Sequence, residues 1–382
     1  MMSKMSKREY LIQLKRKYWK AKRKVKIQLL NDFCDFTRYN RKYAIELLNN
    51  PIPAKWKRYK IREKIYGQDV IEPLLILWRA TNEICGERFH PFIPTLLPKM
   101  ITLSEIKVNP EVQEKLLTIS LGTVKRIIRR TKRISRIKIG GTTKPGSILK
   151  KQIAIRYGRW TDTDPGWCET DTVAHCGDNT GGEFIYSLDV IDICSGWSEQ
   201  AAIWGKGEMA TKEQMDIIRN RLPFKLLGLD PDNGSEFINW QMFRYCQKNG
   251  ITLTRSRPYH KNDNAHVEQK NYTAIRQLVG YHRLEKREQQ AILNNLYSNE
   301  WRSYLNFFQP TMKLKEKVKD TGTKKTTKKY YEAKTPYQRL MEHEKISQEQ
   351  KDMLKSVYER LNPIILQAEI KRKLELIRKT LR

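Results

Sequence analysis

Three acidic residues lie in sequence surroundings that suggest shared chemistry. Asp171 lies in the stretch Trp167-Cys-Glu-Thr-Asp-Thr-Val, Asp232 begins Asp-Asn-Gly-Ser-Glu-Phe, and Glu268 follows Asn-Ala-His-Val. Hard cations such as Mg²⁺ prefer carboxylate oxygens. Three carboxylates that meet in space can hold two divalent cations, which drive in-line displacement at phosphorus. The motifs predict a phosphoryl-transfer site acting on nucleic acid, with all three residues as metal ligands and catalytic groups.

Local patterns place these carboxylates on elements that can bring them together. Asp171 lies in a predicted strand, 167–173, whose alternate residues share a face. Asp232 follows a short apolar strand, and α/β sheets commonly place catalytic groups at strand ends. Glu268 falls in the first turns of a predicted helix, with Asn271 about one turn further on the same face. Two adjacent strands and this helix would therefore gather the three carboxylates around one point.

Four other acidic residues compete for these roles. Asp230 lies two positions before Asp232 and faces the same way if the strand continues. Asp189 and Asp192 lie on a predicted hairpin, and Asp263 suits a helix cap. None of the four has a motif context like those of the three leading candidates, which we therefore prefer.

The charge of the chain points to a polyanionic partner. Its 382 residues carry a formal net charge of +32, far more than solubility requires. Residues 1–60 contain 18 Lys/Arg and 4 Asp/Glu, and residues 121–151 contain 11 Lys/Arg and no acidic residue. Residues 166–275 are slightly acidic, with 15 Asp/Glu and 11 Lys/Arg. Basic segments flanking an acidic middle fit DNA-binding modules around a metal-binding module.

Two basic helices are candidates for reading DNA. The helix 41–48 follows a possible cap at Asn40 and a tight turn, which resembles a helix-turn-helix; an ordinary helical hairpin is the alternative. The helix 121–130 follows Ser120 and is apolar on one side and basic on the other, although basic faces are often simply solvated. Arginines and lysines near the third motif are further candidates, with ordinary surface residues as the alternative. The predicted DNA contacts are Arg41, Lys42, Lys125, Arg126, Arg129, Arg130, Arg255, Arg257, Lys261 and Lys270.

The segments around the three carboxylates resemble the motifs of a known superfamily. The segments Glu169–His175, Asp232–Phe237 and Asn262–Asn271 resemble the three motifs of the DDE transposase and retroviral integrase superfamily. The 35 residues between Asp232 and Glu268 match the interval typical of that superfamily. Further segments resemble a group of bacterial insertion-sequence transposases with an integrase core: Thr254–Pro258, Lys261–Asn264 and Asn306–Pro310.

The resemblance implies a fold, an activity and partners. The fold would be an RNase H-like α/β core, a five-stranded mixed sheet flanked by helices. The activity would be nicking at the ends of a mobile element followed by strand transfer from the freed 3′-hydroxyl. The cofactor would be two Mg²⁺ ions, with Mn²⁺ expected to substitute. The partners would be double-stranded DNA, as terminal inverted repeats and target, bound by a homo-oligomer. One departure is the absence of the His-His-Cys-Cys zinc module of retroviral integrases.

The expected organisation is multidomain. An all-α helix-turn-helix-like segment is followed by a second helical segment, a linker, the α/β core and a small basic β/α region with tail helices. The predicted boundaries are 1–53 and 54–135 for the two DNA-binding segments, 136–165 for the basic linker, 166–310 for the catalytic core and 311–382 for the C-terminal region.

The cysteines and the apolar stretches of the chain bear on the cellular compartment in which the protein is expected. The six cysteines form no Cys-x-x-Cys pair, which indicates free thiols in a reducing compartment and argues against zinc. Without a signal-peptide pattern or an apolar stretch long enough to cross a bilayer, we expect a cytoplasmic bacterial protein, associated with the nucleoid when bound to DNA. Two alternative functions remain open, a catalytically inactive DNA-binding regulator and an RNase H-type nuclease.

Overall fold

The computed structural model describes residues 3–51, 65–131, 154–155, 164–231, 234, 236–255, 270–319 and 326–381. The chain divides into two compact units, Met1–Ile65 and Tyr66–Arg382. The five segments expected from the sequence, with their boundaries, stay predictions.

The N-terminal unit contains three helices in its described part. They are α1 (Lys4–Lys20), α2 (Arg23–Thr37) and α3 (Arg41–Asn49). Asn40 caps α3, since its side chain accepts a hydrogen bond from the amide of Lys42 at 3.0 Å. Arg38, with φ 57°, provides the left-handed residue that ends α2. Buried apolar side chains from all three helices form the core of this unit: Leu11, Leu14, Tyr18, Leu30, Phe33, Ala44 and Leu48.

The second unit begins with a group of helices. They are α4 (Gln68–Ala80), α5 (Gly86–Phe89), α6 (Ile93–Thr102), α7 (Pro110–Thr118) and α8 (Leu121–Thr131). The predicted Ser120 cap is present, because its hydroxyl accepts from the amide of Thr123 at 3.3 Å. Val124 and Ile128 on α8 are buried, as the apolar stripe of this helix predicts.

A mixed sheet lies at the centre of the second unit. Its strands are β1 (Ala154–Ile155), β2 (Trp167–Ala174), β3 (Ile185–Asp192), β4 (Ser198–Trp204), β5 (Gly228–Pro231) and β6 (Thr252–Arg255). They are ordered β1-β6-β5-β2-β3-β4. The β2–β3 and β3–β4 pairs are antiparallel, and the β2–β5, β5–β6 and β1–β6 pairs are parallel. Strands β2–β6 confirm the expected five-stranded mixed sheet, and the two-residue β1 adds a sixth that was not predicted.

The two faces of this sheet differ in chemistry. Pairing puts Cys168, Leu188, Val190, Ala201 and Leu229 on one face, where they pack against α9 (Glu208–Arg221) and α10 (Trp240–Lys248). We call this the apolar face. The opposite face, here the polar face, carries Glu169, Asp171, Ser187, Asp189, Gln200 and Asp230. Strand alternation produces this division.

The chain after residue 270 continues over the same unit. Its helical segments are α11 (a π-helical turn Asn271–Arg276, then Gln277–Val279), α12 (Arg287–Leu296, a π-helical turn Tyr297–Trp301, then Arg302–Phe308), α13 (Pro336–Glu342), α14 (Gln348–Arg360) and α15 (Pro363–Lys379). Between α12 and α13 lies a two-stranded ribbon, β7 (Leu314–Lys319) and β8 (Thr326–Tyr330). One apolar core runs through this unit from Val70 to Ile377, so the tail helices pack on their own chain. Within the described residues, no helix has the length and apolar character needed to cross a membrane.

Candidate active site

Asp171 lies in the middle of β2, on the polar face, and is half-buried. Its Oδ1 accepts a hydrogen bond from the amide of Thr172 at 2.7 Å. Its Oδ2 accepts one from Nδ2 of Asn271, at the start of α11, at 2.6 Å. Asn271 follows Glu268 by three residues. The second bond therefore ties Asp171 to the end of the third motif.

The second motif also reaches β2. The parallel register between β2 and β5 pairs Glu169 with Asp230 and Thr170 with Pro231, the residue before Asp232. Beyond the strand, Glu236 accepts a hydrogen bond from the hydroxyl of Thr172 at 2.6 Å.

Asp232 and Glu268 themselves lie outside the described residues, so their roles as metal ligands stay predictions. In the part of the chain that is described, no group of three His, Cys, Asp or Glu side chains could hold a metal ion. Of the three predicted ligands, Asp171 is the one that lies in the described residues, so its fit to a hard cation can be judged. It fits by ligand type, as a carboxylate, and by its half-buried place beside both other motifs.

Among the competing carboxylates, Asp192 and Asp230 have structural roles. Asp192 ends β3 and accepts hydrogen bonds from the amides of Gly166 at 2.8 Å and Ser195 at 2.6 Å. It therefore holds the β3–β4 turn against the start of β2. Asp230 is buried and accepts from the hydroxyl of Thr254 on β6 at 2.6 Å. Asp263 lies outside the described residues.

Asp189 is paired directly across from Asp171 but is fully buried. Its Oδ1 accepts hydrogen bonds from Gln200 at 2.8 Å and Ser198 at 3.3 Å. Burial raises the pKa of this carboxyl, while the Gln200 bond and the nearby charge of Lys270 oppose the rise. Burial lowers the pKa of Lys270, and the charge of Asp189 partly offsets this. Asp189 and Lys270 are thus both buried, and each favours the charged form of the other.

Burial also bears on two of the predicted DNA contacts. Lys270 is 9% exposed and Arg255 is 6% exposed. Both side chains point into the protein, so neither is presented to a phosphate in this structure. This burial was not predicted, because lysine and arginine are mostly found at the surface.

The other described DNA contacts are placed as their prediction requires. Arg41 and Lys42 are exposed at the start of α3, and Arg126, Arg129 and Arg130 are exposed on α8. Lys125 on α8 forms an ion pair with Glu87 at 2.5 Å but remains about half exposed. Arg257 and Lys261 lie outside the described residues. DNA contact by any of these residues stays a prediction.

A series of linked polar side chains beside Asp171 was not predicted from the sequence. The Thr172–Glu236 bond continues to Lys206, whose Nζ lies 2.8 Å from Glu236 Oε1. Glu236 is 2% exposed, so Lys206 balances a carboxylate that is almost fully removed from water. The signal available in the sequence was the glutamate within the second motif, Asp232-Asn-Gly-Ser-Glu.

Comparisons with known proteins find a relative by sequence and a similar solved structure. No protein-family model matches the chain. A solved structure that resembles it, the catalytic core domain of BIV integrase, is 18% identical, covers 45% of this chain and 91% of that one, and has a TM-score of 0.30. A similarity this weak decides neither fold nor function. The protein y4rM of Sinorhizobium fredii (strain NBRC 101917 / NGR234), described only as uncharacterized, is 36% identical over 309 residues, 79% of this chain and 86% of y4rM. At this identity and coverage, the chain belongs to the same family as y4rM.

Proposed function

We propose that this protein is a DDE-type DNA transposase that nicks the ends of a mobile element and joins them to target DNA. The observation that supports this best is that residues of all three sequence motifs meet at β2. Asn271 of the third motif hydrogen-bonds Asp171 itself, and Glu236 of the second motif hydrogen-bonds the next residue, Thr172. Motifs far apart in sequence thus contact neighbouring positions of one strand, which supports a triad of Asp171, Asp232 and Glu268.

In this proposal the triad would hold two Mg²⁺ ions. When bound, the ions would supply Lewis-acid stabilisation of the attacking and leaving oxygens at phosphorus. Among the proposed ligands, Asp171 is oriented by a hydrogen bond from Asn271, and Thr172 and Lys206 hold Glu236 of the second motif beside β2. Such supporting bonds commonly tune metal affinity.

The proposed partner is duplex DNA, bound by exposed basic residues of α3 and α8. Two element ends must be processed, and one core supplies one metal site. We therefore propose a homo-oligomer on DNA. The tail helices contribute Leu354, Ile370 and Ile377 to the core of their own unit.

The test compares Asp171→Asn with Asp178→Asn, a matched change at an exposed aspartate beyond β2. The assay measures strand transfer with Mg²⁺ or Mn²⁺ on duplexes that carry the inverted repeats flanking the coding region. We expect Asp171→Asn to lower the rate by roughly 10³-fold, equivalent to several kcal/mol of transition-state stabilisation. Asp178→Asn should leave the rate unchanged, and both variants should bind the ends like the wild type.

Three outcomes would contradict the proposal. Transfer retained by Asp171→Asn would remove Asp171 from the catalytic site. Cleavage of RNA–DNA hybrids without transfer would instead support an RNase H-type nuclease. A wild-type protein that binds the ends but performs no chemistry would indicate an inactive regulator.

A further inference from the structure

The ribbon β7–β8 is an unusually exposed element. All described side chains of β8 are exposed, and so are residues 315–318 of β7. The antiparallel register places Lys317 directly opposite Lys328, and Val318 opposite Thr327. Exposure on both faces means that nothing in the described part of the chain covers this ribbon.

Repulsion between lysines destabilises the ribbon when no partner is bound to it. Residues 313–331 contain eight lysines and two acidic residues. Glu316 pairs with Lys329 at 2.6 Å. Directly opposed like charges such as Lys317 and Lys328 destabilise a strand pair, and an isolated two-stranded ribbon is only marginally stable in water. A bound polyanion would relieve this repulsion.

The base of the ribbon is firmly attached to the central sheet. Thr311 and Lys334 exchange backbone hydrogen bonds at 2.9 and 3.2 Å. Lys313 Nζ donates to the carbonyl of Ile193 at 2.9 Å, and Arg339 donates to the carbonyl of Ser195 at 3.0 Å. Both carbonyls belong to the β3–β4 turn.

This attachment fixes the ribbon near the candidate active site. The β3–β4 turn follows Asp192, which pairs with Cys168 on β2. Cys168 precedes Asp171 by three residues, or roughly 10 Å of strand. The base of the ribbon is therefore linked, through the β3–β4 turn, to the strand that carries Asp171.

We propose that β7–β8 is a DNA-binding ribbon that lies in a groove of duplex DNA, with Lys317 and Lys328 contacting phosphates. Its strands are about 4.8 Å apart, and a major groove about 12 Å wide admits a two-stranded ribbon. The inference rests on the proposed function only in taking DNA as the partner. The competing explanation is that lysines on an exposed ribbon prevent pairing with other chains.

The experiment uses the full chain with Lys317→Thr and Lys328→Thr together, because threonine retains strand propensity. The matched control is Lys355→Thr with Lys371→Thr, two exposed lysines on α14 and α15. Affinity for a duplex is measured by fluorescence anisotropy at several salt concentrations, with EDTA present to prevent chemistry. We expect the slope of log affinity against log salt to fall by about 2 in the ribbon variant, since each phosphate contact contributes about 0.9. The control should keep the wild-type slope.

Two further measurements separate binding from folding. The melting temperature without DNA should be unchanged or higher in the ribbon variant, because a repulsive pair has been removed. Lys317→Arg with Lys328→Arg should retain the wild-type slope, because the charge is kept.

An unchanged slope in the threonine variant overturns the proposal, and so does an equal fall in the control. An unchanged slope with new self-association supports the competing explanation instead. If wild-type protein performs strand transfer while the ribbon variant keeps its slope, only the ribbon proposal fails. If the slope falls although the wild type performs no transfer, the ribbon proposal stands and the proposed function fails.

Discussion

The two faces of the central sheet are built from neighbouring residues yet differ in how their side chains are held in place. Leu188 on the apolar face packs among side chains of α9 and α10. Ser187 and Asp189, one position to either side, point to the polar face and hydrogen-bond Tyr297 and Gln200. Both faces are buried. The strand alternation alone decides which residue belongs to which environment.

This difference separates stability from chemistry. Burial of side chains stabilises the apolar face, and this stabilisation does not depend on the orientation of particular atoms. Many side chains of similar size would therefore serve there. The polar face requires each buried group to find a partner, because an unpaired one is costly. Asp171 lies on the face where positions are fixed by hydrogen bonds. This is the face on which a catalytic carboxylate can be held in a defined orientation.

The largest expected effect on stability comes from the apolar face. Leu188→Ala leaves a cavity among fully buried neighbours, and we expect it to lower the free energy of unfolding by about 2–5 kcal/mol. Leu188→Met, which conserves volume, should cost less than about 1.5 kcal/mol. Chemical denaturation of both variants measures the difference. Equal losses would mean that the apolar face depends on shape as strictly as the polar face does.

A smaller effect is expected one residue earlier, on the polar face. Ser187 Oγ lies 2.7 Å from His175 Nε2 and 2.8 Å from the hydroxyl of Tyr297. Ser187→Ala removes the shared partner of two buried polar groups, and we expect a loss of about 1–3 kcal/mol. Combining it with Tyr297→Phe should cost less than the sum of the single changes, because the orphaned hydroxyl is also removed. Strict additivity in the denaturation series would show that the chain His175–Ser187–Tyr297 is not coupled.

Much of this architecture follows from local sequence. The sequence predicts a helix over 208–221, and the structure has this helix with the same bounds. Asn40 caps α3, as its side chain allows. The sequence also predicts a basic helix over 22–33 that ends at Phe33 before a short break, and this end is wrong. The helix continues to Thr37 because Leu30, Phe33 and Thr37 repeat at helical spacing and are all buried, with the Thr37 hydroxyl bonded to the carbonyl of Phe33.

What local sequence could not provide is tertiary. The joint core of α4–α8, the sheet and the tail helices depends on which apolar stripes face each other, and periodicity does not specify partners. The burial of Lys270 is a similar case. Asp189, the carboxylate that partly offsets the lowered pKa of Lys270, lies 81 positions earlier, and no local pattern connects the two. The Asn271–Asp171 bond joins residues 100 positions apart. It brings the end of the third motif to β2, a contact that no local pattern specifies.

The smallest effect is a pH dependence that belongs to the polar face alone. Burial, followed by the nearby charge of Arg276, lowers the pKa of His175 to about 3. In the unfolded chain the pKa would be about 6.5. A depressed histidine pKa contributes stability that is fully present above pH 6.5 and is lost as the pH falls toward 3, because only the unfolded chain gains the proton. Between pH 7.5 and 5.5 we expect His175 to account for a loss of about 1 kcal/mol in the free energy of unfolding.

Buried Asp189 and Asp192, whose pKa values are raised, change the free energy of unfolding in the opposite direction. The effect of His175 must therefore be measured as a difference between two proteins. The free energy of unfolding of wild type and His175→Gln is compared across this range, and the wild type should fall more steeply by this amount. Parallel curves would show that His175 titrates alike in both states, and the polar face would then lack the dry environment that distinguishes it from an ordinary surface.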